Sequence, residues 1–167
     1  EKNFFKKVEI NMSEFSTILL EWFDLNKRAL PFRKNNKPYD VWVSEIMLQQ
    51  TQVDTVIPYY NAWMKKFPNI ESVSEASEES ILKSWEGLGY YSRSRNFHKA
   101  AKIIKKNFNS KIPDSWDDFR LLPGVGDYTA GAVLSIAFNK SYVAVDGNVK
   151  RVMARLTSCL LYTSDAA

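Results

Sequence analysis

The chain has 167 residues, 45% of them hydrophobic and 14% aromatic, with a formal net charge of +4, enough apolar material for a buried core in one domain or two small lobes. No run approaches the roughly 18 uncharged apolar residues of a membrane helix, and the opening EKNFFKKVEINMSEF interrupts its apolar pairs with charge, so neither a membrane span nor a signal peptide is read. A single cysteine, Cys159, excludes an internal disulfide and a multi-cysteine metal site built from this chain, and fits a reducing, cytoplasmic setting.

In chain order the pattern is a succession of helices with short connections and almost no alternation of apolar and polar residues, which predicts an all-α fold. Ser13 is placed to cap a first helix whose residues Phe15, Ile18, Leu19, Trp22 and Phe23 recur at helical spacing and which ends before Leu30-Pro31. A second helix is predicted from about Asp40 to Gln50. A third runs from Thr51 or Gln52 to Phe67-Pro68, with Pro58 as an internal kink. The acidic stretch SVSEASEES then leads to a short helix through Trp85.

From about Tyr90 to Phe108, an apolar stripe (Phe97, Ala101, Ile104, Phe108) and a separate basic stripe (Lys99, Lys102, Lys106) define an amphipathic helix. After Pro113, SWDDFRLL forms a short helix with Ser115 as its cap, PGVG turns the chain into a helix ending near Phe138, and a last helix runs from Gly147 to Leu156.

Charge is uneven. Between Gly87 and Pro113 there is no acidic residue, against seven lysines and arginines. This is either a solvated helix face or a surface that follows a phosphate backbone. The turn Pro123-Gly124-Val125-Gly126 carries two readings as well. It is a plain tight connection between helices, or an anion cradle made of uncovered N–H groups at a helix N-terminus.

Two carboxylates stand out. Glu45 is the only charged residue between Asp40 and Asp54, and its own helix face carries Val41 and Leu48. Scarce water there favours the protonated acid, which suits a proton donor; a structural ion pair is the other reading. Asp146 is the only charged residue between Lys140 and Lys150 and sits where a helix begins, so it reads as an N-cap whose carboxylate the helix keeps ionised. One protonated and one charged carboxylate together are the pattern of glycosidic bond cleavage.

Taken together, GLGYYSR, LPGVGDYTAG and VDGNVKRV resemble the helix-hairpin-helix DNA glycosylase superfamily, and within it the adenine DNA glycosylases. The likeness runs from about Met12 to Leu156 through four ordered segments: LPFRKNNKPYDVWVSEIMLQQTQV, WEGLGYYSRSRNFHKAA, LPGVGDYTAGAVLSIAF and AVDGNVKRVMARL. The resemblance implies a six-helix barrel lobe, about residues 30–138, and a second lobe from about 13–29 and 139–156, with the active cleft between them. It implies double-stranded DNA as partner, with adenine mispaired with 8-oxoguanine or guanine as substrate, flipped out of the helix. The protein is then expected to act as a monomer in the bacterial cytoplasm with the chromosome.

By the same resemblance Glu45 protonates N7 of adenine and Asp146 stabilises, or transiently bonds to, the sugar C1′ cation, with Asn148 supporting Asp146. Gln50 and Tyr90 refill the gap left by the flipped base, Thr51 and Leu88 lie near the opposing purine, and Arg28 lines the adenine pocket. Gly124, Val125 and Gly126 grip the phosphate. Tyr128 stands where strand-cutting relatives of the endonuclease III type carry a lysine that forms a Schiff base, which a phenol cannot do.

Several features depart from the family pattern. Phe32 replaces a tryptophan, and Asn139 to Val145 lack the usual glycine and proline, although Asn139 can take a left-handed cap. The family's [4Fe-4S] cluster requires four cysteines that this chain does not contain, so no cluster and no metal are expected here. The residues before Met12 are expected to precede the natural start. Those from 157 to 167 read as an unrelated or artefactual tail on a truncated second lobe. The rival readings are a non-catalytic helix-hairpin-helix DNA-binding fragment, an endonuclease III-like glycosylase/lyase, and a helical scaffold with no nucleic-acid role.

Overall fold

The computed structural model describes residues 12–157. Among the described residues the chain is all-α, with nine α-helices, one 3-10 turn and no strand. Its contacts divide it into two units. One is Ala29–Ala144; the described part of the other is residues 12–28 with 145–157.

In the first unit, a 3-10 turn at Pro31–Arg33 leads to α2 (Pro38–Leu48), α3 (Val53–Lys66), α4 (Ile70–Glu75), α5 (Glu78–Trp85), α6 (Ser92–Asn107), α7 (Trp116–Arg120) and α8 (Asp127–Phe138). Helix α2 is the axis, buried continuously from Val41 to Met47 and packed against α3 and α8. A helix that is apolar on all sides has to be surrounded. Trp42 meets Phe97 of α6 edge-on at 4.8 Å and Phe119 of α7 at 5.0 Å, and Trp63 meets Trp85 at 5.6 Å. Full burial of side chains this large is worth at least 1.5–3 kcal/mol each, on the order of the whole net stability of a domain when summed. Two of the polar tips are satisfied in series: the Trp63 indole donates to the Tyr39 hydroxyl (3.0 Å), which donates to the Phe67 carbonyl (2.6 Å), whereas the buried Trp42 indole N–H has no partner.

The amphipathic reading of α6 holds. Phe97, Ala101 and Ile104 are buried and Phe108 half-buried, while Lys99, Lys102 and Lys106 are exposed. The short helix expected to end at Trp85 is α5, and the acidic stretch leading to it is itself mostly helical, its first part forming α4. Asn69 closes a capping box with Ser72 to start α4, Ser77 caps α5, and Glu75 and Glu78 accept ion pairs from Lys105 (2.5 Å) and Arg95 (3.1 Å) of α6. Short polar helices are stabilised by such caps and by packing rather than by composition.

Boundaries differ for local reasons. Helix α2 begins at Pro38, where proline suits the first helical turn, and ends at Leu48 because Gln50 is left-handed (φ +58°). Helix α6 begins at Ser92 because Tyr90 is left-handed (φ +46°). Helix α3 continues through Pro58. Ser115 caps α7, accepting from the Asp118 N–H at 3.2 Å, and Asn139 closes α8 in the left-handed conformation (φ +53°).

The second unit contributes α1 (Met12–Asn26) and α9 (Gly147–Leu156). Ser13 lies inside α1 rather than capping it, and its carbonyl accepts the Thr17 hydroxyl at 3.0 Å. The α1 stripe forms at the expected spacing, but beyond the half-buried Phe15 its residues Ile18, Leu19, Trp22 and Phe23 are exposed, Trp22 by 60%. No residue of α9 is buried.

Candidate functional site

Glu45 sits in the middle of α2, 4% exposed, and is the one buried acidic side chain among the described residues. The burial expected of it is present, and so is a cation that the sequence reading did not place. Arg33, in the 3-10 turn that precedes α2, brings Nη2 to 2.5 Å from Glu45 Oε1, and its Nη1 donates to the Ser44 hydroxyl at 3.3 Å. The guanidinium is one-third exposed, so the pair lies at an edge of the core. A buried carboxylate needs a partner, and this demand was the available signal for a cation in LPFRKNNK.

Beyond the C-terminus of α2, two turns come together. Gln50 is exposed and left-handed; Thr51 is half-buried, its hydroxyl 3.4 Å from the Gln49 carbonyl. In the second turn Tyr90 is 61% exposed and left-handed, whereas the Leu88 side chain is buried in the apolar core. Two bulky residues with positive φ are uncommon, and each such residue costs on the order of 1–3 kcal/mol. Arg93 of α6 reaches into both turns, a residue the sequence reading counted only as charge.

The hairpin turn forms as a connection between α7 and α8. Gly124 takes φ +79°, and a Cβ there would meet the Asn96 Cβ of α6 at 2.8 Å, so both conformation and space call for glycine. Gly126 is the extended N-cap of α8 with no side-chain cap, which leaves the first-turn N–H groups of α8 without a capping side chain. Val125 buries its side chain and gives its carbonyl to Arg120 Nη1 at 2.7 Å; Arg120 Nε donates to Asp127 at 2.6 Å. Tyr128 follows in the first turn of α8, 37% exposed.

In the other unit, Asp146 caps α9 as the sequence suggested. Its Oδ1 accepts the Val149 N–H at 2.8 Å and its Oδ2 accepts from Asn148 Nδ2 at 3.0 Å. The backbone bond from Val149, then the Asn148 amide, hold its pKa below the ordinary aspartate value. Arg151 donates to Asn148 Oδ1 at 2.6 Å and so orients the amide, and Arg28 is exposed.

A family model described as HhH-GPD superfamily base excision DNA repair protein matches residues 43–161. The chain belongs to this superfamily. The match takes in the buried carboxylate, both turns, the hairpin and the capping aspartate.

The HhH-GPD chain is 49% identical over 144 residues to the adenine DNA glycosylase of Buchnera aphidicola subsp. Baizongia pistaciae, a match covering 86% of this chain and 41% of that protein. It is 45% identical over 154 residues to the human adenine DNA glycosylase, covering 87% and 28% respectively. The chain thus spans less than half the length of these relatives. Among solved structures it resembles a thermostable thymine-DNA glycosylase at 27% identity, TM-score 0.79, covering 84% of this chain and 65% of that one. A trapped endonuclease III–DNA covalent intermediate has the same fold at 24% identity, TM-score 0.77, covering 93% and 73%.

The residues of this HhH-GPD chain do not fit a four-thiolate cluster. The sequence holds one cysteine, Cys159, outside the described residues, and no group of three or more His, Cys, Asp or Glu side chains among the described residues is placed to hold a metal ion. No described helix is long and apolar enough to cross a membrane.

Proposed function

We propose that the chain carries the catalytic region of a monofunctional adenine DNA glycosylase of base excision repair, acting as a monomer on duplex DNA in which adenine faces 8-oxoguanine or guanine. The observation that carries this reading is Glu45, a carboxylate placed mid-helix in the core and only 4% exposed. A carboxyl group held at that fixed position beside Arg33 is the candidate proton donor. The names of the relatives support the same activity.

In this mechanism adenine leaves the base stack, and Gln50 and Tyr90 occupy the space it vacates, with Thr51 and Leu88 near the opposing purine. Arg28 contributes to the adenine pocket. Glu45 gives its proton to N7, and the electrons of the C1′–N9 bond leave with the base. The cation at C1′ is stabilised by the Asp146 carboxylate, which its helix cap keeps ionised and Asn148 orients. Water then adds hydroxide to C1′ and returns a proton to the site. Tyr128 offers no amine, so the strand is left uncut.

Duplexes carrying adenine opposite 8-oxoguanine, guanine or thymine, followed by alkaline cleavage at abasic sites, test this reading. Release is expected for the first two and should vanish in Glu45→Gln and Asp146→Asn; release that persists in both variants sinks the mechanism.

The Arg33–Glu45 ion pair favours a second reading, in which Glu45 is structural and the chain holds duplex DNA without releasing a base. Salt-dependent binding with no base release would select it.

A further inference from the structure

We propose that Arg93 is a positioning residue that locks the turns carrying Gln50 and Tyr90 to each other, Nη1 serving the first turn and Nη2 bridging the two. This rests on the reading of Gln50 and Tyr90 as the residues that fill the gap beside a flipped base. The bridge is visible in the contacts. Nη1 donates to the carbonyls at the C-terminus of α2: Ile46 at 2.9 Å, Met47 at 3.1 Å and Gln49. Nη2 donates to Leu88 at 3.0 Å and Gly89 at 3.3 Å, and reaches the Thr51 hydroxyl at 3.3 Å.

Two of these acceptors are special. The Gln49 carbonyl belongs to the peptide bond that leads into Gln50, and the Gly89 carbonyl to the one that leads into Tyr90. Arg93 therefore bonds the peptide immediately before each of the two left-handed residues, sharing the Gly89 carbonyl with the Trp85 indole N–H (3.1 Å). Left alone, a glutamine and a tyrosine relax out of this conformation. The guanidinium plane is fixed in turn, 5.4 Å from the Trp85 ring and 5.6 Å from the Tyr90 ring. Its Nε–H is buried without a partner, a cost that a lysine would not carry, so it is the two-armed fork rather than the charge that the position uses.

Arg93→Lys separates these possibilities, because it keeps the charge and hence the attraction to phosphate but has a single nitrogen. Arg93→Met provides a second variant without charge, and thermal unfolding of each establishes that it folds. Two readouts apply to the full chain. Amide exchange over residues 48–52 and 87–91 is expected to rise about tenfold in both turns together in Arg93→Lys, with the rest of the first unit unchanged. The fluorescence rise of 2-aminopurine placed opposite guanine, which reports a base leaving the stack, is expected to fall about fivefold, while binding to a fully matched duplex stays within about twofold.

Exchange that is unchanged, that rises in one turn only, or that rises evenly across the unit overturns the lock. So does a fluorescence rise equal to wild type in Arg93→Lys. A wild-type chain that binds the duplex with no fluorescence rise removes instead the reading of Gln50 and Tyr90 as gap-fillers, a failure recognisably different from a failure of the lock.

Discussion

Arg33 Nη2 stands 2.5 Å from Glu45 Oε1, joining the turn before α2 to the middle of that helix. Removing one partner of such a pair leaves a charge in the core, and full burial would make this a loss of about 3–5 kcal/mol. The guanidinium is one-third exposed, so Arg33→Met is expected to cost less, about 2 kcal/mol in chemical denaturation. The double variant Arg33→Met with Glu45→Gln is expected to recover part of that loss. Unchanged stability in the single variant would show that the pair is not holding the turn to the helix.

Gly131 of α8 is expected to reject even a methyl group. A Cβ there would lie 2.1 Å from the Val143 carbonyl oxygen and 2.9 Å from its carbon, and both are backbone. Helix propensity alone makes Gly→Ala stabilising by about 1 kcal/mol, whereas overpacking costs about 1–3 kcal/mol. Gly131→Ala should therefore lower the midpoint of thermal unfolding. A higher midpoint would mean that the segment 140–144 moves aside freely.

Asp146 combines a cap with the proposed chemistry, and two substitutions distinguish the roles. Asp146→Ala is expected to cost about 1 kcal/mol of α9 stability, read by circular dichroism, while Asp146→Asn keeps the cap and loses only the charge. Abolished adenine release with an intact helix in Asp146→Asn would assign the carboxylate to the reaction.

The same residue predicts a pH dependence. Its pKa is depressed in the folded chain, so its contribution is complete above the ordinary value of about 3.9 and fades as pH falls through the lower folded value. Wild-type α9 should lose stability below about pH 4 more steeply than α9 of Asp146→Asn.

Lys99, Lys102 and Lys106 form an exposed row on α6, while Arg95 and Lys105 are engaged by acids of α5 and α4. If the row follows phosphates, replacing all three by glutamine should reduce the slope of log K against log salt by about 2–3. An unchanged slope would return the row to a solvated face.

The helices were legible where a periodic stripe meets a core: Phe97, Ala101 and Ile104 are buried as their spacing indicates. Helix α5 was expected as a short helix ending at Trp85, but α4 was not, because its serines and glutamates carry little apolar signal, and what makes it helical is the Asn69 cap together with packing on α6. Asn139 was readable because its left-handed cap is a local property. Arg33 and Arg93 were not, since an arginine's partners twelve or more than forty positions away leave no periodic trace. For the carboxylates, isolation among uncharged neighbours marked both Glu45 and Asp146, but the ion partner of one and the amide partner of the other follow only from the folded chain.

At the C-terminus of α2 the Leu48 carbonyl is closed locally by the Thr51 N–H (3.3 Å), but those of Ile46, Met47 and Gln49 accept from a side chain 44 to 47 positions further along the chain. A glycine cap forms within the helix, on the timescale of a single turn. This one waits until the loop from α2 to α6 has closed, and its loop entropy is lost before the bonds are gained. The central helix of the first unit is therefore expected to be finished late in folding, by a contact of high sequence separation, and the ends of α2 and α6 should lose their protection together rather than one by one.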